Sequence, residues 1–209
     1  TRYWRDWSSD VCSSDLSFLI VLAQLALAQS QVQFIGQTDG QIELSCQVSN
    51  YQVLHDGIYT AIRLEDGNPI LKAGAPDLEQ ITTSVIVDDQ AEMSLMISHA
   101  TFEEFHDVYI RPSKGNLLRT VDPATIPYQE GVIYTQDGFY PGALATLGNA
   151  YVQRQFRGQS VHFNPVQYNP VTHTLRVYSD IQVVVKPTDN PGQNPLGNAQ
   201  ELSTNATFK

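Results

Sequence analysis

The chain has 209 residues, 42% of them hydrophobic, with a formal net charge of -10 and only 16% charged side chains. That is enough for one domain with a full core, and too few charges for a solvated disordered polymer. The acidic balance argues against nucleic acid and anionic membrane as partners.

Residues 18–28 form a short apolar run ending in Ala-Leu-Ala. The run is too short to span a bilayer and carries the small-x-small end that a signal peptidase needs. Residues 17–28 therefore read as a signal-peptide h-region cleaved after Ala28. Residues 1–16 lack the Met and basic opening of a signal peptide. Their stretch DVCSSDL looks like translated sequencing-adapter DNA and reads as non-native. Of the two cysteines, Cys12 falls in that segment, so the mature domain keeps Cys46 and no intramolecular disulfide is expected.

From Gln29 onward the pattern is short strands and turns. Residues 41–48 alternate, with Ile42, Leu44, Cys46 and Val48 on one face. Residues 58–64 read as a strand followed by the turn signal Glu65-Asp66-Gly67-Asn68-Pro69. Residues 73–76 read as a loop. Residues 81–87 and 92–98 read as strands around Asp88-Asp89-Gln90, the second burying Met93, Leu95 and Ile97. A strand over 108–110 ends at Arg111-Pro112-Ser113-Lys114-Gly115, and the two prolines over 122–127 disfavour a helix. Residues 132–135 and 139–140 flank Asp137-Gly138, a hairpin signal.

The clearest patterning is over 158–185. Leu175, Val177, Ile181, Val183 and Val185 share one strand face, with Thr174, Arg176, Asp180 and Gln182 opposite. The preceding half is also extended, but its phase changes at Asn164-Pro165, where proline implies a bulge or bend. Asn169-Pro170-Val171-Thr172-His173 reads as the turn between the halves, which makes the unit a long antiparallel hairpin. After Lys186 the composition becomes that of a linker or tail. Many short strands without a sustained helical period predict an all-β, antiparallel β-sandwich or barrel-like domain over 29–186, with 187–209 as tail.

No catalytic constellation is visible. Cys46 is in phase with apolar neighbours, as a buried structural thiol would be. The five histidines are scattered; His99 and His106 have a spacing that could share a metal, but ordinary surface histidine is commoner. No metal site or cofactor is expected. Asn205-Ala206-Thr207 matches the glycosylation sequon, a short and often coincidental motif.

The stretch FRGQSVHFNPVQYNPVTHTLRVYSDIQVVV resembles the N-terminal propeptide of the gingipains, secreted cysteine endopeptidases of Gram-negative bacteria. The resemblance extends through residues 107–115, with their Pro-Ser-Lys-Gly turn, and through 122–128, 139–147 and Gly192-Gln193-Asn194. It is strong over 107–185 and weak over 29–106.

The resemblance implies a non-catalytic prodomain that keeps a zymogen latent by packing over the active-site cleft and assists its folding. The partner it implies is a cysteine peptidase domain in cis, downstream of Lys209. It also implies secretion or a cell-surface location, reached through the Gram-negative envelope, with no membrane contact after signal removal. In the family a basic residue shortly after that turn enters the enzyme's specificity pocket. Here that position is Arg119, which is also a candidate activation cleavage site, although by spacing alone it reads as an ordinary exposed loop arginine with no partner. Its rivals are Arg111, which precedes a proline, and Lys114, which sits in the turn. The other reading is a free-standing secreted β-sandwich module binding peptide or glycan, for which ten tyrosines would be suited.

Overall fold

The computed structural model describes residues 31–197. The expected adapter-derived and signal segments, with Cys12 and Ala28, lie outside them, as does the Asn205 sequon. The described strands are β1 (Gln31–Thr38), β2 (Gln41–Gln47), β3 (Tyr51–Asp56), β4 (Tyr59–Leu64), β5 (Asn68–Pro69), β6 (Glu79–Ile86), β7 (Ala91–Phe105), β8 (Ala145–Gln153), β9 (Phe156–Phe163), β10 (Val166–Asn169) and β11 (Thr174–Pro191). One sheet runs β1-β2-β11-β10, with β7 on the other edge of β11; a second runs β5-β6-β9-β8; β3 and β4 form a separate hairpin. Every strand pair is antiparallel. The result is an open sandwich, not a closed barrel.

Short-range chemistry sets the hairpins. Asp39 and Gly40 both take positive φ between β1 and β2, which matches the two-residue turn of twisted strands. Between β10 and β11 the Asn169 Oδ1 accepts from the Val171 and Thr172 amides, and His173 takes φ 51°. Long-range burial sets the layers. Ile42, Leu44 and Cys46 from β2, Ile181, Val183 and Val185 from β11, and Val161 and Phe163 from β9 are all buried in one cluster. Burying each large apolar side chain is worth about 1.5–3 kcal/mol.

Leu175, Val177, Ile181, Val183 and Val185 are buried as expected, but Thr174 and Tyr178 are buried too, a register shift against β7 falls at Ser179, and the long hairpin is not a single unit. β9 pairs with β6 and β8, whereas only β10 returns on β11. The chain crosses from one sheet to the other at Asn164-Pro165. The Asn164 amide donates to Leu144 O and the Tyr178 amide to Pro165 O, so the break is fastened to both layers. β1 and β3 were not anticipated. β7 runs 15 residues instead of seven, and of its expected buried face only Met93 is fully buried, Ile97 being 39% exposed. Residues 108–110 make only an isolated bridge to Thr60. Val132–Thr135 is a 3-10 turn and not a hairpin arm, because the Gly131 amide is tied to Gly74 O and the turn closes on itself through Tyr134 and Gln136.

β11 also passes the expected strand end at Lys186, and residues 192–197, expected as tail, are fastened down. Arg157 is only 1% exposed. Its guanidinium donates to Asp88 O, to Ala91 O (2.8 Å), to Gln193 O (2.8 and 3.1 Å) and to Asn194 O (3.2 Å). The Gly192 amide donates to Gln90 O and the Leu196 amide to Asp89 O. Gly192 fits because an added Cβ would lie 2.5 Å from Ala91 O and against the guanidinium.

Candidate functional site

The segment from Val108 to Thr135 is laid across β4 and the loop over 70–77 by backbone bonds. Thr60 N donates to Tyr109 O (2.6 Å), Arg111 N to Thr60 O (3.1 Å), Asp77 N to Arg111 O (2.9 Å), Ser113 N to Ala75 O (2.7 Å) and Gly74 N to Ser113 O (2.9 Å). Pro112 lies in an antiparallel bridge with Pro76, and Ile110 is fully buried. Gly115 is required here. Its φ is +76°, and an added Cβ would sit 2.9 Å from the Ala73 Cβ.

Two of the three basic residues are used internally. Arg111 bonds Asp77 Oδ2 through Nε at 2.9 Å and Tyr128 OH at 3.3 Å. Tyr128 in turn donates to Asp56 Oδ2 at 2.9 Å. Asp77 also accepts from Arg63 at 2.6 Å, and Glu79 Oε2 accepts the Leu64 amide at 2.7 Å. Burial raises the Glu79 carboxyl above its ordinary range, against the pull of the Leu64 amide and Arg63. Lys114 donates to Pro123 O at 2.8 Å, with its ammonium 4.3 Å from the Tyr128 ring centroid.

Arg119 is different. It sits in an exposed turn closed by Val121 N donating to Leu118 O at 3.0 Å. Leu118 before it is 75% exposed. Among the described residues, no side chain or backbone group pairs with the Arg119 guanidinium. The turn is followed by a 3-10 turn, Pro123–Thr125, whose N-cap Asp122 accepts the Ala124 amide. Firm anchors at 113–115 and 122–125 thus present a free, planar donor fork to solvent.

The remaining candidates supply no second site. Cys46 is fully buried, and its thiol is pushed up to about 12 by burial and then by the Asp180 carboxylate. His99 bonds Thr101, and His106 lies 3.7 Å from Glu104. Among the described residues, no three His, Cys, Asp or Glu side chains are grouped to hold a metal. Sequence reasoning missed Arg157, because a charged residue between Phe156 and Gly158 carries no signal of burial.

Comparison with known proteins places the whole domain. A family model described as Propeptide_C25 matches residues 28–207. Gingipain R2 of Porphyromonas gingivalis is 34% identical over 206 residues, covering 93% of this chain and 27% of that protein. Gingipain R1 of the same organism is 43% identical over 131 residues, covering 63% of this chain and 13% of that protein. The chain thus spans about a quarter of the curated gingipain R2. The solved complex of Porphyromonas gingivalis RgpB pro- and mature domains aligns with TM-score 0.76 and 33% identity, over 83% of this chain and 94% of that one. A structure on zymogenic latency of gingipain K aligns with TM-score 0.63 at 16% identity, over 79% of this chain and 97% of that one, which shows a shared fold. A β-sandwich matched along almost its whole length by a propeptide model belongs, on that ground, to the C25 propeptide family, the prodomain of gingipains.

Proposed function

We propose that this domain keeps a gingipain-type cysteine endopeptidase, encoded downstream of Lys209, latent by seating Arg119 in its specificity pocket, and that it assists the folding of that peptidase. The observation that carries the reading is the contrast among the three basic residues. Arg111 and Lys114 are tied to groups of their own domain, whereas Arg119 is exposed, unpaired and held between two anchored turns. A pocket carboxylate can grip its guanidinium through two parallel hydrogen bonds. An arginine there favours a partner that cleaves after arginine, and the same bond is the candidate activation cut. Because prodomain and peptidase share one chain, the encounter is intramolecular and modest contacts suffice to close the site. The precursor is exported across the Gram-negative envelope, with the signal removed after Ala28, to a secreted or cell-surface location. No helix among the described residues is long and apolar enough to cross a membrane.

The test is inhibition of an arginine-cleaving gingipain-type peptidase by the purified chain. Removing one partner of a desolvated charge pair costs about 2–5 kcal/mol, so Arg119→Ala should raise the inhibition constant about 30-fold or more. Arg154→Ala, at the exposed β8–β9 turn, serves as control. An inhibition constant unmoved by Arg119→Ala would sink the assignment.

A further inference from the structure

The Arg119 turn divides the strands unusually. β1 to β7 precede it and β8 to β11 follow it. Neither sheet can be made by one side alone. In the first sheet β11, from the second half, lies between β2 and β7, from the first. Its seam with β2 runs from Asp180↔Gln47 to Val185↔Ile42, and its seam with β7 from Leu175↔Phe105 to Pro191↔Ala91. In the second sheet β9, from the second half, pairs with β6, from the first, over Ile81↔Phe163 to Ile86↔Gly158. Left to themselves, the halves retain only local hairpins. The buried cluster is shared in the same way, with Ile42, Leu44 and Ile81 from one side and Phe163, Ile181 and Val183 from the other. Arg157, from the second half, donates to Asp88 O and Ala91 O of the first.

The turn itself adds little to these seams. It is exposed, and the nearest tie across it is Lys114 to Pro123 O. The other arginines among the described residues are poorly placed for a peptidase. Arg63, Arg111 and Arg176 lie in ion pairs, Arg157 is buried, and Arg154 sits in a turn closed by the Gln153↔Phe156 pair.

We propose that hydrolysis of the Arg119–Thr120 bond leaves the domain assembled, as two interlocked fragments that do not separate. One water is taken up, leaving a carboxylate on Arg119 and an amino group on Thr120. The cut would then free the turn from the pocket without dismantling the sandwich around it. Clearing the peptidase becomes a separate, later event that must break the strand seams or the remaining docking contacts. This regulation rests on the reading of Arg119 as the pocket residue, but the interlock itself does not.

The experiment is to express residues 29–119 and 120–209, both without the signal segment, as two chains in one cell and compare the product with an uncut chain of residues 29–209. The expected result is two bands on a denaturing gel but one native elution peak at the uncut volume, with the far-ultraviolet strand signal kept. Its urea midpoint should rise with protein concentration, as it must for a two-chain fold. Fragments that elute apart, or a pair that co-elutes without strand signal, would overturn the proposal. A split pair carrying Arg119→Ala should assemble equally well. Loss of the pocket assignment, read from inhibition by the intact variant, therefore stays distinguishable from loss of the interlock.

Discussion

Replacing Arg157 with lysine isolates the clamp that fastens residues 192–197. The charge is kept, but the fork is lost. Four carbonyls, those of Asp88, Ala91, Gln193 and Asn194, now share one guanidinium in a site 1% exposed. A single ammonium cannot span both sides of that ring of acceptors. At least two carbonyls then lose their donor, at about 1.5 kcal/mol each, for a total of about 3 kcal/mol. With a urea slope of about 2 kcal/mol per molar for a domain of this size, the midpoint should fall by about 1.5 M. Equilibrium urea unfolding followed by far-ultraviolet circular dichroism reads this directly. Amide exchange adds a local readout, since the Gly192 and Leu196 amides should exchange faster than those of β2. A midpoint shift below about 0.5 M, with those amides still protected, would refute the reasoning that the clamp is a working tether.

Two further outcomes follow from buried groups. In a Cys12→Ser chain, Cys46 should not react with a disulfide reagent until the domain is unfolded, because it is fully buried and its thiol is pushed up to about 12; rapid labelling of the native domain would contradict that. For Glu79, the raised native carboxyl means that the folded state holds its proton more tightly than the unfolded state. Its contribution is therefore fullest at low pH and declines as pH rises from the ordinary glutamate value of about 4.3 through the raised native one. Glu79→Gln should remove that decline from urea midpoints taken from about pH 4 to about pH 7, and an unchanged slope would show that other groups set it.

Much of the fold was legible because burial imposes period two. Leu175, Val177, Ile181, Val183 and Val185 announced a core-facing strand, and the phase change at Asn164-Pro165 announced a break. What the break does was not legible. A bulge within one sheet and a crossing between two leave the same local pattern, and only the partners of β9, Ile81 to Ile86 on one side and β8 on the other, decide it. Asp137-Gly138 suggested a hairpin, but the distant Gly131–Gly74 bond won over local turn preference. At the candidate site, spacing could name three basic residues and could not rank them. The ranking comes from Asp77, Tyr128 and Pro123, which engage Arg111 and Lys114 and lie up to 34 positions away from them.

The place of β11 has a consequence for biosynthesis. The strand at the centre of the first sheet is the last of the described strands to be made, so β2 and β7 wait with unpaired edges until residues 174–191 arrive. Contacts between such remote parts of a chain form late and slowly. A nascent chain that stops short of residue 174 cannot join β2 to β7 and so cannot complete the first sheet. The same delay leaves two bare strand edges open to wrong partners, so crowded synthesis of truncated chains favours aggregation over folding.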